Sequence, residues 1–467
     1  MILNLNGQFR KYYFLSLLTL LITNILFQLV VILKLSNDSI YFLIGYDFVL
    51  LLIILYKEYI KDLITFLLIV NFVPLLYLNN EFHYRFEYEI LTALPLFLIV
   101  MLMIFQYTYS TKNLSFRLTY LQKPIVLIVI YFSIHAAIDI INGQDTKWIL
   151  LQLFQIYLYL IILPICYFLV KREYYMAVFY ALLFISVVIS FEYIVFNQIV
   201  LNYRFVTFQS GFLPLLSGVL FSYILFNKDI IKRIVGLILL IIVTTGALVT
   251  LTRTLWVTTF IVLFFVWIFY VISTHKLTLL KLIMVILTIS ASIIFVSDVS
   301  KNAGKELSPK NVVESRAKSV TNPLEDSSFL MRVEFTYYAV QRFLESPIVG
   351  KGLGDYLRYK IFNTNKSANY FIDNSWVYFL WKGGLIGFLL FAWLFIRFFK
   401  ASYTVLKNTS DIKVKYVTLG LLAGLLGLSF LGLLSPLLIK YKSNAIIAFI
   451  FAYIEFERMK IMNEKSI

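Results

Sequence analysis

Residues 234–272 read IVGLILLIIVTTGALVTLTRTLWVTTFIVLFFVWIFYVI, and a single charge, Arg253, interrupts the apolar run. A helix crosses roughly 30 Å of hydrocarbon with about 20 apolar residues. The stretch therefore reads as two membrane spans, 234–251 and 254–272, with Arg253 at the turn between them. The same pattern recurs along the chain. Further runs lie at 14–34, 39–56, 63–78, 90–107, 124–142, 148–170, 175–196, 206–226, 278–296, 375–396, 415–434 and 443–455, about fourteen spans in all. The first follows Arg10 and Lys11 but is too long for a signal peptide and lacks a small-residue cleavage site, so it reads as an anchor. A barrel needs alternating strands of about ten residues, whereas these runs are continuous.

Composition agrees with this reading. Of 467 residues, 61% are hydrophobic and 14% charged, against about 25% charged in a soluble globular chain. The mean hydropathy is +0.86. A soluble multidomain enzyme, a disordered chain and a disulfide scaffold are excluded, the last because Cys166 is the sole cysteine. The net charge of +16 does not point to nucleic acid, because the basic residues punctuate apolar runs. They gather in alternate connections, among them Arg10–Lys11, Lys57 and Lys61, Lys171–Arg172, Lys232–Arg233 and Arg397 to Lys415. The positive-inside rule then places both termini in the cytoplasm.

This divides the chain into a first membrane bundle of eleven spans, 1–296, an outer polar loop, 297–374, and the last three spans with a cytoplasmic C-terminus, 375–467. Polar connections as long as the 78-residue loop are usually functional or disordered. In this one Leu330, Val333, Tyr337, Val340 and Leu344 recur at helical spacing. Ser328 can cap the start and Ser346-Pro347 stops the run, which predicts an amphipathic interfacial helix over 329–345. The fold class is an all-α polytopic helical bundle, with this helix lying on the outer membrane face.

Residues able to do chemistry are few. His83, His135 and His275 form no metal-ligand cluster. His135 and Asp139 share a helix face in the fifth span, either as a polar pair inside the bundle or as a proton relay. Asp47 and Glu192 are also intramembrane carboxylates. Gly350-Lys351-Gly352-Leu353-Gly354 lacks the spacing of a dinucleotide fingerprint. It reads either as an anion nest of backbone amides or as a plain turn. Gly420, Gly424 and Gly427 suit close helix packing. Arg204, Arg253, Arg332 and Arg342 all fall at the predicted outer face. Snorkelling explains any one of them, but together they can hold a phosphate through bidentate hydrogen bonds. Asp373-Asn374, just before the twelfth span, reads as a helix cap or as a catalytic carboxylate.

The ordered pattern of Arg204…Thr207-Phe208, Leu251-Thr252-Arg253, a long outer loop, Arg332 on a helix, Glu345-Ser346-Pro347-Ile348-Val349-Gly350-Lys351-Gly352, Asp373-Asn374-Ser375-Trp376 and Gly383-Gly384-Leu385-Ile386-Gly387 resembles the O-antigen ligase and Wzy-type polysaccharide polymerase superfamily. The specific part covers roughly residues 200–390. Ligases of this superfamily carry His-Asn where this chain has Asp373-Asn374, so the resemblance leans to the polymerases that build O-antigen, capsule or exopolysaccharide.

The resemblance implies glycans on undecaprenyl diphosphate as substrates, joined at the outer face of the membrane, with a flippase and a chain-length regulator as accompanying proteins. Asp373, Arg253 and Arg332 are then the catalytic candidates. Arg204, Arg342, Asn374, Gly350 and Gly352 are the substrate-binding ones. A carboxylate can deprotonate an acceptor hydroxyl, arginines can neutralise the leaving diphosphate, and neither cofactor nor metal is called for. Attack opposite the diphosphate inverts the anomeric centre. Two alternatives stand beside this. One is a ligase-type transferase with a different acceptor. The other is a flippase or proton-coupled transporter using Asp47, His135, Asp139 and Glu192. Against transport, ten of the eighteen glycines follow residue 349 with no mirror in the first half, whereas transporters favour repeated broken helices.

Overall fold

The computed structural model describes residues 118–168, 172–195, 211–250, 252–274, 327–359 and 367–465. The chain divides into two compact units, residues 1–115 with 163–189 and residues 116–162 with 190–467. The described part of the first is α3 (Ile162–Phe168) beyond its first residue and most of α4 (Arg172–Val195). All other elements below belong to the second unit.

That unit holds α1 (Gln122–Ile141), α2 (Thr146–Tyr157), α5 (Leu213–Phe226), α6 (Ile230–Val249), α7 (Arg253–Thr274), α8 (Ser327–Leu344), α9 (Ser375–Asn408), α10 (Ile412–Leu431) and α11 (Tyr441–Lys465). Among the described residues, five helices are long and apolar enough to cross a membrane: α1, α6, α7 from Thr254, α9 and α10. The expected spans 14–34, 39–56, 63–78, 90–107 and 278–296 lie outside the described residues, as do Asp47 and Arg204.

Several boundaries differ from the sequence reading. The expected span 148–170 is α2, a 3-10 turn at Leu158–Ile161, and α3. Pro164 supplies no amide to the Leu160 carbonyl, so regular α-helix cannot run through this turn. The expected span 375–396 extends to Asn408, and 443–455 extends to 441–465. The described residues are mostly helical as expected, and the polar segment adds one short ribbon in which β1 (Leu357–Tyr359) pairs antiparallel with β2 (Ser367–Asn369).

Small residues bring α10 against its neighbours. A Cβ on Gly420 would sit 2.4 Å from the Val219 backbone in α5, and one on Gly427 would sit 2.2 Å from Val262 in α7. The GxxxG face is thus a packing face, as close helix contact requires. The contact of Gly427 with Val262 and Thr258 also sets direction. It places the start of α7, at Arg253, at the end of the bundle where α10 finishes and α9 begins, since the Ser375 amide donates to Gly432 O at 2.7 Å.

α9 is broken near its start. Gly384 has φ 62° and ψ −163°, a left-handed conformation that Gly adopts without steric cost. The following 24 residues, 385–408, span about 36 Å at 1.5 Å per residue, enough to cross a bilayer alone. The turn after α8 docks into this break. Leu385 N donates to Pro347 O at 2.8 Å and Ile386 N to Ile348 O at 3.2 Å. In return Lys351 N donates to Trp381 O at 2.9 Å and Gly352 N to Lys382 O at 3.0 Å. The Tyr131 hydroxyl of α1 closes the junction by donating to Gly383 O and Val349 O.

Candidate functional site

α8 occupies the stretch where periodicity predicted a helix. Its exposed apolar residues include Leu330, Val333, Tyr337 and Leu344. Arg332 projects from it toward α9, and its Nε donates to Asp373 Oδ2 at 3.0 Å. Both side chains are partly exposed, at 34% and 43%. Two residues 41 apart in sequence, proposed independently as diphosphate clamp and general base, thus meet.

The cap of α9 is the neighbour, Asn374. Its Oδ1 accepts the amides of Trp376 and Val377, each at 3.1 Å. Asp373 is therefore not the cap, and its carboxylate faces Arg332 instead. Ser375 then fastens the helix start, donating from Oγ to Ser435 O and accepting from Leu438 N.

Gly350 and Gly352 both have positive φ, 81° and 83°. Their amides, with those of Lys351 and Gly354, donate to Ser346 O, Lys382 O, Trp381 O and the Asp139 carboxylate. This is the turn reading of the glycine cluster rather than the anion nest, because the donors already have protein acceptors. A Cβ on Gly350 would lie 2.4 Å from Gly384 N. The two glycine motifs therefore serve one another.

Arg342 does not join Arg332. Its guanidinium forks onto both oxygens of Asp355 and reaches Glu345 at 2.7 Å. Glu345 also pairs with Lys351 at 2.7 Å. The ammonium of Lys351, then Arg342, holds the Glu345 carboxyl below its ordinary pKa. Arg253 is the first residue of α7, at the same end of the bundle as Asp373.

Asp139 accepts the Gly354 amide at 2.9 Å, and the His135 ring lies edge-on to Tyr131 at 4.7 Å. Asp139 thus serves to hold the loop at Gly354, while His135 packs against an aromatic ring. Beside them, Trp148 at the start of α2 stacks on Tyr370 at 4.9 Å, and Tyr356 lies against the same ring. Burial, followed by nearby Asp145 and Tyr356, raises the Tyr370 phenol.

Sequence reasoning passed over Lys382, Asp355, Tyr131 and Gln152. Lys382 is fully buried, and its ammonium donates to Leu353 O at 3.0 Å and to Asp355 O. It also lies 4.0 Å from the Trp381 ring centroid. A lone lysine inside an apolar run is costly and usually has a purpose, so that signal was available. Asp355 and Gln152 carry no comparable mark.

The fold and these residues define a polytopic membrane protein whose polar segment sets charged side chains beside the start of α9. Residues 238–392 match the family model described as O-antigen ligase. The matched segment runs from α6 into α9 and contains every proposed site residue except Arg204. The resemblance to the O-antigen ligase and Wzy-type superfamily, drawn above from the motifs, is therefore shown for this segment. The match supports a membrane enzyme of the ligase or polymerase type acting on glycans. No curated protein matches the chain.

Proposed function

We propose that this chain is a Wzy-type polymerase, joining undecaprenyl diphosphate-linked oligosaccharide repeats into a surface polysaccharide at the outer face of the plasma membrane. The observation that carries the reading is the 3.0 Å contact between Arg332 and Asp373 inside the segment that matches the family. A base and a phosphate-binding cation are needed within one substrate's length of each other, and this pair supplies both.

In this mechanism Asp373 removes the proton of an acceptor sugar hydroxyl. The hydroxyl oxygen attacks the anomeric carbon of the growing glycan from the side opposite its diphosphate. The bond between that carbon and the diphosphate oxygen breaks, and the electron pair leaves on undecaprenyl diphosphate. Arg332 and Arg253 offset the charge developing there, with Arg204 as a further contact, as fixed cations aimed at a leaving group do. Asn374 holds the start of α9, and so fixes where Asp373 stands. Arg342, bound to Asp355, is assigned to the architecture.

An aspartate at the position where ligases carry histidine favours polymerisation over ligation. The test is detergent-purified protein with undecaprenyl diphosphate-linked repeat units, read on a gel. A ladder of lengthening products supports the polymerase. A single product formed only with a different acceptor establishes the ligase instead. No glycan transfer in detergent, with transport of lipid-linked glycan in vesicles, rejects both.

A further inference from the structure

Asp355 lies outside the reaction proposed above, yet its side chain joins α8 to α9. Its carboxylate is only 11% exposed. Oδ2 accepts Trp381 Nε1 at 2.7 Å and Arg342 Nε at 3.2 Å, while Oδ1 accepts Arg342 Nη2. Its backbone carbonyl accepts the buried Lys382 ammonium. Trp381 and Lys382 belong to the part of α9 before its break, and Arg342 is the last charged residue of α8. Asp355 is thus the pin between the two helices.

Arg332 sits ten residues before Arg342 on α8, about 15 Å along the axis. At both places an arginine of α8 meets a carboxylate of the polar segment, Asp373 just before α9 and Asp355 bonded to Trp381 of α9. The two contacts are unequal. Arg332 and Asp373 share one hydrogen bond and are 34% and 43% exposed, and such exposed pairs are individually weak. The Arg342–Asp355 contact is a bidentate fork, more enclosed, with a third donor from Trp381, and charge-assisted forks are the stronger and more directional kind. Of the two ion pairs, the one at Asp355 is therefore the firmer hold on α8.

Losing this pin would not release the loop that carries it. Gly354 N stays on Asp139, Leu353 O on Gln152 Nε2 and Lys382 Nζ, and the amides of Lys351 and Gly352 on the α9 backbone. The docked turn holds the chain just after α8, and Asp355 adds a side-chain hold on the last turn of the helix itself.

We propose that Asp355 is a positioning residue, which through Arg342 orients α8 so that Arg332 faces Asp373. The catalytic part of this rests on the proposed function, and the structural part does not. The first test therefore uses no substrate. In the full chain in detergent, with Cys166 replaced by Ser, spin labels at Val333 on α8 and Leu389 on α9 report one narrow distance distribution. Asp355→Asn broadens or shifts it, and Asp355→Glu restores it. Arg342→Lys, which leaves the Trp381–Asp355 bond in place, also broadens it and covers the case in which Asp355→Asn does not fold. An unchanged distribution in both Asp355→Asn and Arg342→Lys overturns the proposal, whatever the enzyme does.

The second test is a double-mutant cycle on glycan transfer. Asp355→Asn lowers kcat by about 10² in otherwise native protein, the scale of a misplacement of roughly 1 Å, with little change in the KM for the acceptor. In an Arg332→Ala background it adds less than about twofold, because coupled residues are non-additive. Additive losses overturn the positioning role. If wild-type protein transfers no glycan at all, the proposed function falls and the distance measurement still decides.

Discussion

Arg332 Nε and Asp373 Oδ2 stand 3.0 Å apart, although one lies on α8 and the other one residue before the cap of α9. The two form an ion pair. A bound diphosphate would compete with Asp373 for the guanidinium and leave the carboxylate beside the acceptor. On the proposed function, base and clamp would then act as a single unit.

On this reading Asp373→Asn keeps the side-chain shape but loses the basic carboxylate. Glycan elongation falls by about two to four orders of magnitude, the range of general acid–base catalysis, while undecaprenyl diphosphate still binds. Arg332→Lys and Arg253→Lys keep charge but lose the planar fork, and each lowers turnover with normal expression. Full activity in Asp373→Asn rejects the base, and full activity in both lysine variants rejects the clamp.

The cap makes a separate prediction. Asn374→Ala removes the oxygen that accepts two amides of α9 and costs about 1 kcal/mol of stability. Asp373→Asn makes no such loss. Thermal denaturation in detergent should show a lower Tm for Asn374→Ala and none for Asp373→Asn. The reverse order would place the cap at Asp373.

Two left-handed glycines should respond differently to alanine. Gly143 has φ 73° and open space around it, so Gly143→Ala carries conformational strain alone, about 1–2 kcal/mol. A Cβ on Gly384 would lie 2.4 Å from Gly350 N and from Ile348 O. Both are backbone atoms of the docked turn. Size-exclusion chromatography of detergent extracts should recover Gly143→Ala as a monodisperse peak and lose Gly384→Ala. Normal recovery of both would show that the docked turn is dispensable.

The Glu345 carboxyl carries a pH signature. Lys351 and Arg342 hold its folded pKa below the ordinary 4.5. A depressed folded value contributes stability above the unfolded pKa and loses it as pH falls through the folded one. The Tm difference between wild type and Glu345→Gln should be small and positive at pH 7, since the pair is exposed, and should shrink and close as pH falls below 4.5. A gap that widens in acid would mean that Glu345 acts in its protonated form.

The topology can be read with single cysteines in a Cys166→Ser background. Gln341 on α8 and Ser410 between α9 and α10 are both exposed. Ser402, also in the basic stretch after the twelfth expected span, is buried in α9 and would be silent on either side. An impermeant thiol reagent on intact cells should label Gln341→Cys and not Ser410→Cys. The opposite result inverts the orientation and removes the outer-face site.

The membrane character, the helix at α8 and the small face of α10 were legible in the residues alone. Each is a property of neighbours three, four or seven apart, and hydrophobic period and composition report such properties directly. So were Arg332 and Asp373 as separate candidates. Their meeting was not, nor was the fork from Arg342 to Asp355, the seat of Lys382, or the choice of Asn374 over Asp373 as cap. Local spacing could not distinguish an anion nest from a turn at Gly350, because the answer lay 34 residues away in the break at Gly384. A charge or an amide takes its role from whatever acceptor the folded chain places within 3 Å. That acceptor comes from a remote segment, so only the tertiary structure decides it.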